Sequence, residues 1–136
     1  MSTPNLPNAE EDPQGLFALG AMHWNAEAFW EAHEAWEDLW NEAYDEHKRW
    51  LQGLIQYAAA LFHFERGFFA NGYHRLMASA TEKVTGYTGE LHDLDWERLQ
   101  ADLAPWIAYG KAVADGAAFP EAPAPYPVLR FTDGDD

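Results

Sequence analysis

The chain has 136 residues, room for one domain with a real hydrophobic core. It carries 23 acidic against 8 basic residues, a formal charge of −15, which repels nucleic-acid phosphates and anionic lipid head groups and argues against both as general partners. Cys is absent, so disulfides, thiolate metal sites and Cys nucleophiles are excluded. Hydrophobic content of 48% and aromatic content of 15%, with seven Trp, argue against disorder over most of the chain.

Residues 1–12 hold Pro4, Pro7 and a closing acidic run, and read as a flexible lead-in without the basic and apolar regions of a signal peptide. No apolar run approaches the roughly 18 residues of a membrane span, so the sequence points to a cytoplasmic location and no membrane partner. Asp12-Pro13 reads as an N-cap and first helical position, opening a helix over roughly 13–23 that turns Leu16, Phe17, Gly20, Ala21 and Trp24 to the core. Asn25 is placed to cap a second helix over roughly 26–43. On that helix, with His33 at 0° and about 100° per residue, Phe29 lies near −40°, Trp36 near −60°, Trp40 near −20°, Glu37 near +40° and Trp30 near +60°. His33 and Glu37 therefore fall within an aromatic stripe, while Glu31, Asp38 and Glu42 face solvent and Glu34 lies on the border.

A turn near Tyr44–Glu46 leads to the stretch 48–68, KRWLQGLIQYAAALFHFERGF, which is apolar nearly all round a helix and so reads as the buried centre of a bundle. Its exception is a stripe of Gln52, Gly53, Gln56, Ala59, Ala60, His63 and Gly67, small residues mixed with hydrogen-bonding ones. Asn71 is positioned to cap a fourth helix with one apolar face through Tyr73, Leu76, Met77, Ala80, Val84, Tyr87 and Leu91. Asp95 caps a short helix over WERLQADL, and Pro105 is expected to start a separate one over WIAYGKAVAD. The helical domain is thus 13–118, an all-α bundle of about five or six helices. Residues 119–136 form a Pro-rich, acidic, extended tail, able to lie along the bundle through Tyr126, Val128, Leu129 and Phe131.

Antiparallel pairing of the second helix with the central one groups Glu37, Gln52 and Gln56 at one level, with His33 and His63 deeper. Buried polar groups must be paired, so this seam bonds to itself, to water or to a ligand. Three readings stay open. The first is a structural His–Glu–Gln network fixing helix register, in which removal of His33 or Glu37 costs about 2–4 kcal/mol. The second is a divalent-metal site on His33, Glu37 and His63, and with it a hydrolase-like enzyme using Glu34 or Glu37 as base; the second His of H-E-x-x-H and the Glu-x-x-His of di-iron bundles are both missing. The third is a pocket for a small polar or cationic ligand, walled by Trp30, Trp36, Trp40 and Tyr57 with Glu37 as counter-charge. The preferred reading is a non-catalytic helical protein that binds a partner or small ligand, its polar seam mainly structural, with no cofactor assignable. Arg66, one of few cations, is expected to pair with Glu34 or another acid of the second helix. The aromatic content also allows a helix-face homodimer.

FWEAHEAWEDLW followed by LQGLIQYAAALFHFERG resembles the domain-of-unknown-function 309 family of small bacterial and archaeal proteins. That pattern pairs E-A-H-E-x-x-E-x-x-W with Q-G-L-I-Q and H-x-x-R-G, here at Glu31, Ala32, His33, Glu34, Glu37 and Trp40, then Gln52 to Gln56, His63, Arg66 and Gly67. Phe68 stands where the family usually carries Asn. The resemblance implies an all-helical fold with a shared polar seam to which Glu34 and Arg66 belong, and it implies no activity.

Overall fold

The chain's capping residues and its apolar spacing decide where its helices run. The computed structural model describes residues 7–67, 70–86, 93–116 and 121–131. It contains α1 (Pro13–Asn25), α2 (Phe29–Glu42), α3 (Asp45–Arg66), α4 (Ala70–Lys83) and α5 (Trp96–Ala114). The protein is all-α; among the described residues the single extended pairing is an isolated bridge between Leu94 and Phe131.

α1 starts as expected: the Asp12 carboxylate accepts from the Gly15 N–H at 2.9 Å, and Pro13 takes the first position. Its buried face is Leu16, Phe17, Gly20, Ala21 and Trp24. α2 begins at Phe29, later than the sequence suggests, because Asn25 is used elsewhere. Its side chain donates to the Leu129 carbonyl at 3.0 Å and accepts from the Leu129 N–H at 2.8 Å, leaving α2 without a side-chain cap. α3 starts three residues before Lys48 and closes at Gly67, whose φ of 77° is the left-handed turn that favours glycine. α4 begins at Ala70, so Asn71 lies inside its first turn rather than ahead of it. Tyr87 and Leu91, read as its continuation, lie outside the described residues.

α5 corrects the sequence reading most clearly. Asp95 caps it through the Arg98 N–H at 3.2 Å, but the helix runs on through Pro105 instead of restarting there. Proline deprives the carbonyl four residues back of its partner, and that residue, Ala101, is exposed, so water can take the place of the missing N–H. One continuous buried face, Leu99, Leu103, Trp106, Gly110 and Val113, holds both halves in line.

α3 packs against both α2 and α4, α1 packs against α2, and α5 against α4. The buried set of α3 includes Trp50, Leu51, Leu54, Ile55, Tyr57, Ala58 and Leu61, each large apolar side chain contributing about 1.5–3 kcal/mol. Gly53 lets α4 come close: a side chain there would press on Val84 and on the Ala80 carbonyl. Trp36 is fully buried, stacked on Phe17 at 5.3 Å with its indole N–H donating to the Phe17 carbonyl at 3.1 Å. The tail docks on the bundle, with Leu129 buried and Tyr126 stacked on Trp106 at 5.1 Å and 12°. No helix among the described residues is long and apolar enough to cross a membrane.

Candidate functional site

The site is a cleft between α2 and α3 of about 330 Å³, lined by His33, Glu37, Trp40, Gln52, Ile55, Gln56, Ala59 and Leu76. Four of the seven seam residues expected from the sequence, His33, Glu37, Gln52 and Gln56, meet here. The antiparallel pairing that groups Glu37, Gln52 and Gln56 also brings His33, expected deeper, to the same cleft.

The expectation of a buried seam is corrected. No polar or charged residue among those described is fully buried. His33 keeps 16% of its side-chain surface and Glu37 keeps 55%, so the seam is a half-open cleft. The reason lies in where the apolar face of α2 is centred. Its buried residues are Phe29, Ala32, Trp36 and Leu39, an arc centred about 80° away from His33 at 100° per residue. His33 stands at the edge of that arc and Glu37 beyond it. Trp36 and Tyr57, read as pocket walls, belong to the core instead, Tyr57 hydrogen-bonded to the Thr81 hydroxyl at 2.9 Å.

Within the cleft, His33 Nε2 is 3.6 Å from the Glu37 carboxylate. That is too long for a hydrogen bond and is an ion pair only when the imidazole is protonated. The opposite nitrogen, Nδ1, is shielded from solvent and has no hydrogen-bond partner, and the same holds for Oε1 of Gln56. Two facing helices thus present unsatisfied polar atoms. The Trp40 ring at the rim carries the Lys48 ammonium at 4.1 Å, so it already holds a cation. Leu76 from α4 supplies an apolar wall; its sequence signal, one position in the apolar face of α4, could not show that it reaches the α2–α3 seam.

His63, Glu34 and Arg66 do not line the cleft. Beyond His33 the seam becomes a stacked row instead: Trp30 lies on the imidazole at 4.5 Å and 11°, Phe62 sits 5.1 Å from Trp30, and the Arg66 guanidinium lies 5.5 Å over Phe62. Glu34 is exposed. His63 follows Phe62 on α3, and burial pushes its pKa below the ordinary imidazole value, favouring the neutral ring. Among the described residues no group of three His, Cys, Asp or Glu is placed to hold a metal ion, so His33, Glu37 and His63 do not form the three-donor set that a catalytic zinc site needs.

Residues 17–76 match the model of a family described as Domain of unknown function (DUF309), the family whose motifs the sequence resembles. The matched segment runs from α1 into α4 and contains every residue of the cleft. No curated protein matches the chain.

Proposed function

We propose that this is a binding protein whose α2–α3 cleft takes a small organic cation with N–H donors, either a free amine or guanidine or the end of a Lys or Arg side chain on a partner. The observation that carries the reading is the pair of solvent-shielded, unpartnered atoms, His33 Nδ1 and Gln56 Oε1, borne by residues of the two facing helices that line one cleft. Each such atom costs stability unless a ligand pairs it. Glu37 supplies the counter-charge and Gln52 a further amide. A ligand that donates hydrogen bonds and carries positive charge complements the set. The net charge of −15 raises the local concentration of such ligands.

A metal-dependent hydrolase on the same residues retains only His33 and Glu37 as neighbouring donors, and is the weaker reading. The test is titration of the protein with methylammonium, a linear diamine, arginine, and a Lys/Arg-containing peptide, followed through the His33 imidazole resonances, with a neutral alcohol as control. Cations are expected to shift those resonances, and Gln56→Met to weaken binding about tenfold, the equivalent of one hydrogen bond. Preference for the free amines or for the peptide separates the two sources. Absence of any cation-specific shift up to about 10 mM, an affinity weaker than a few kcal/mol, would refute the proposal.

A further inference from the structure

The rim of the α2–α3 cleft carries a cation of its own, one turn beyond the polar residues. Lys48, Gln52 and Gln56 follow one another four residues apart, so they form one stripe along α3. On α2 the cleft residues His33, Glu37 and Trp40 are spaced by the same rule. The antiparallel pairing sets Trp40 opposite Lys48, whose ammonium rests over the indole ring at 4.1 Å. Lys48 is half-buried, and among the described residues its ammonium pairs with no carboxylate. The chain has 23 acidic and 8 basic residues, so a cation kept only for stability has acids in plenty to pair with. This one is held in place by a ring instead, with its charge unmatched.

The cleft therefore has two electrostatic ends. At one, His33 Nδ1 and Gln56 Oε1 are shielded acceptors, with the Glu37 carboxylate 3.6 Å from the other nitrogen of His33. At the other stands the Lys48 ammonium on Trp40. Gln52, whose amide both donates and accepts, lies between them, and Ile55, Ala59 and Leu76 give the stretch an apolar wall. At the rise of an α-helix, Lys48 is about 6 Å along α3 from Gln52 and about 12 Å from Gln56. The ring contact orders the Lys48 side chain in advance, so little of its freedom is lost when an anion meets it.

Building on the cation reading of this cleft, and resting on it, we infer that the ligand is a zwitterion with separated charges, an ω-amino or ω-guanidino carboxylate, and that Lys48 selects its carboxylate. The cationic end donates to His33 Nδ1 and Gln56 Oε1, and the methylenes lie against Ile55, Ala59 and Leu76. The carboxylate meets Lys48 at the rim. A spacer of about four to six carbons fits the separation of the two ends once a hydrogen bond is allowed at each. The net charge of −15 disfavours a carboxylate over most of the surface, so a preference for the zwitterion over a simple amine requires a cation held at the site.

The experiment titrates the full chain with 6-aminohexanoate, with 6-aminohexanamide, which has the same length and no carboxylate, and with n-hexylamine. The His33 imidazole and Trp40 indole resonances report the two ends of the cleft. 6-Aminohexanoate is expected to bind about tenfold more tightly than either of the others, as one added charge-assisted contact predicts, and to move both sets of signals. Lys48→Met keeps an apolar stem against Trp40 and is expected to bring the three ligands within about twofold of one another. Lys111→Met, at an exposed position of α5, makes the same change in net charge and should leave the preference intact. Amide and amine binding the unmodified chain as tightly as the carboxylate would overturn this inference and leave the cation reading standing. No His33 shift with any of the three would overturn both. A preference that survives Lys48→Met would also overturn it, since the carboxylate would then meet another group. The comparison on the unmodified chain decides even if Lys48→Met does not fold.

Discussion

Replacing Gln56 with Met separates a site built for a ligand from one built for stability. Met has nearly the length and volume of Gln and no amide, so Ile55, Ala59 and Leu76 around the cleft keep their packing. What disappears is a solvent-shielded acceptor without a partner. An unpaired buried polar atom costs about 1–3 kcal/mol, and because Gln56 is only partly buried the lower end applies, about 1 kcal/mol. The unliganded variant should therefore be more stable than the parent chain by about 1 kcal/mol, raising Tm by about 3–4 °C for a domain of this size. It should at the same time lose affinity for cations, the exchange of function for stability expected where a polar group serves a ligand. Urea denaturation and a thermal scan without added ligand measure the first effect, and the titration above measures the second. If Gln56→Met instead lost about 1 kcal/mol or more, the amide would have a structural partner and the reasoning would be refuted.

Glu37→Ala should change stability by less than about 0.5 kcal/mol in chemical denaturation, since its carboxylate is more than half exposed; a loss of 2 kcal/mol or more would restore the buried-network reading. Gly20→Ala should cost about 1–3 kcal/mol, because the new methyl overlaps the Trp36 indole and breaks its bond to the Phe17 carbonyl; near-UV circular dichroism should change together with the denaturation midpoint, and an unchanged midpoint would show that the indole can move. Glu65 has its pKa raised first by burial and then by the charge of Glu27. Its folded-state value thus exceeds its unfolded one, so its contribution to stability is complete below the unfolded value and is lost as pH rises through the folded value. Glu65→Gln should flatten that part of the pH–stability curve, and superimposable curves for the two proteins would contradict the assignment.

Helix order was legible because capping residues and apolar spacing act within one turn, and the errors occurred where a distant group intervened. Asn25 has the chemistry of a cap, but the Leu129 backbone, far along the chain, competes for both of its polar atoms. Pro105 has the chemistry of a helix start, but the face running from Leu99 to Val113 outweighs one missing hydrogen bond. Spacing alone brings His33, Glu37, Gln52 and Gln56 to the α2–α3 seam, where they line one cleft. A stripe centred on His33 overstates its depth, because Ala32 and Leu39 draw the buried face to the other side. Small residues are ambiguous in a related way: Gly53 falls in the seam stripe by spacing, yet its space is used by Ala80 of α4 and by Val84 just beyond that helix. Short range decides which side chains share a helix face, and packing decides which of them remain wet.

The segment matched to the family, residues 17–76, holds the whole cleft but cannot close the core beneath it. Tyr73 donates its hydroxyl to the Trp106 carbonyl at 2.7 Å, and Phe64 meets the edge of Trp106 at 5.0 Å, so the inner ends of α3 and α4 are finished by α5. Trp106 in turn carries Tyr126 of the tail. The tail and the cleft are joined through α2 as closely as through α3: Phe29, which meets Tyr126 at 5.2 Å, directly precedes Trp30, which stacks on His33, while on α3 Phe62 bears on Trp30 and Phe64 on Trp106.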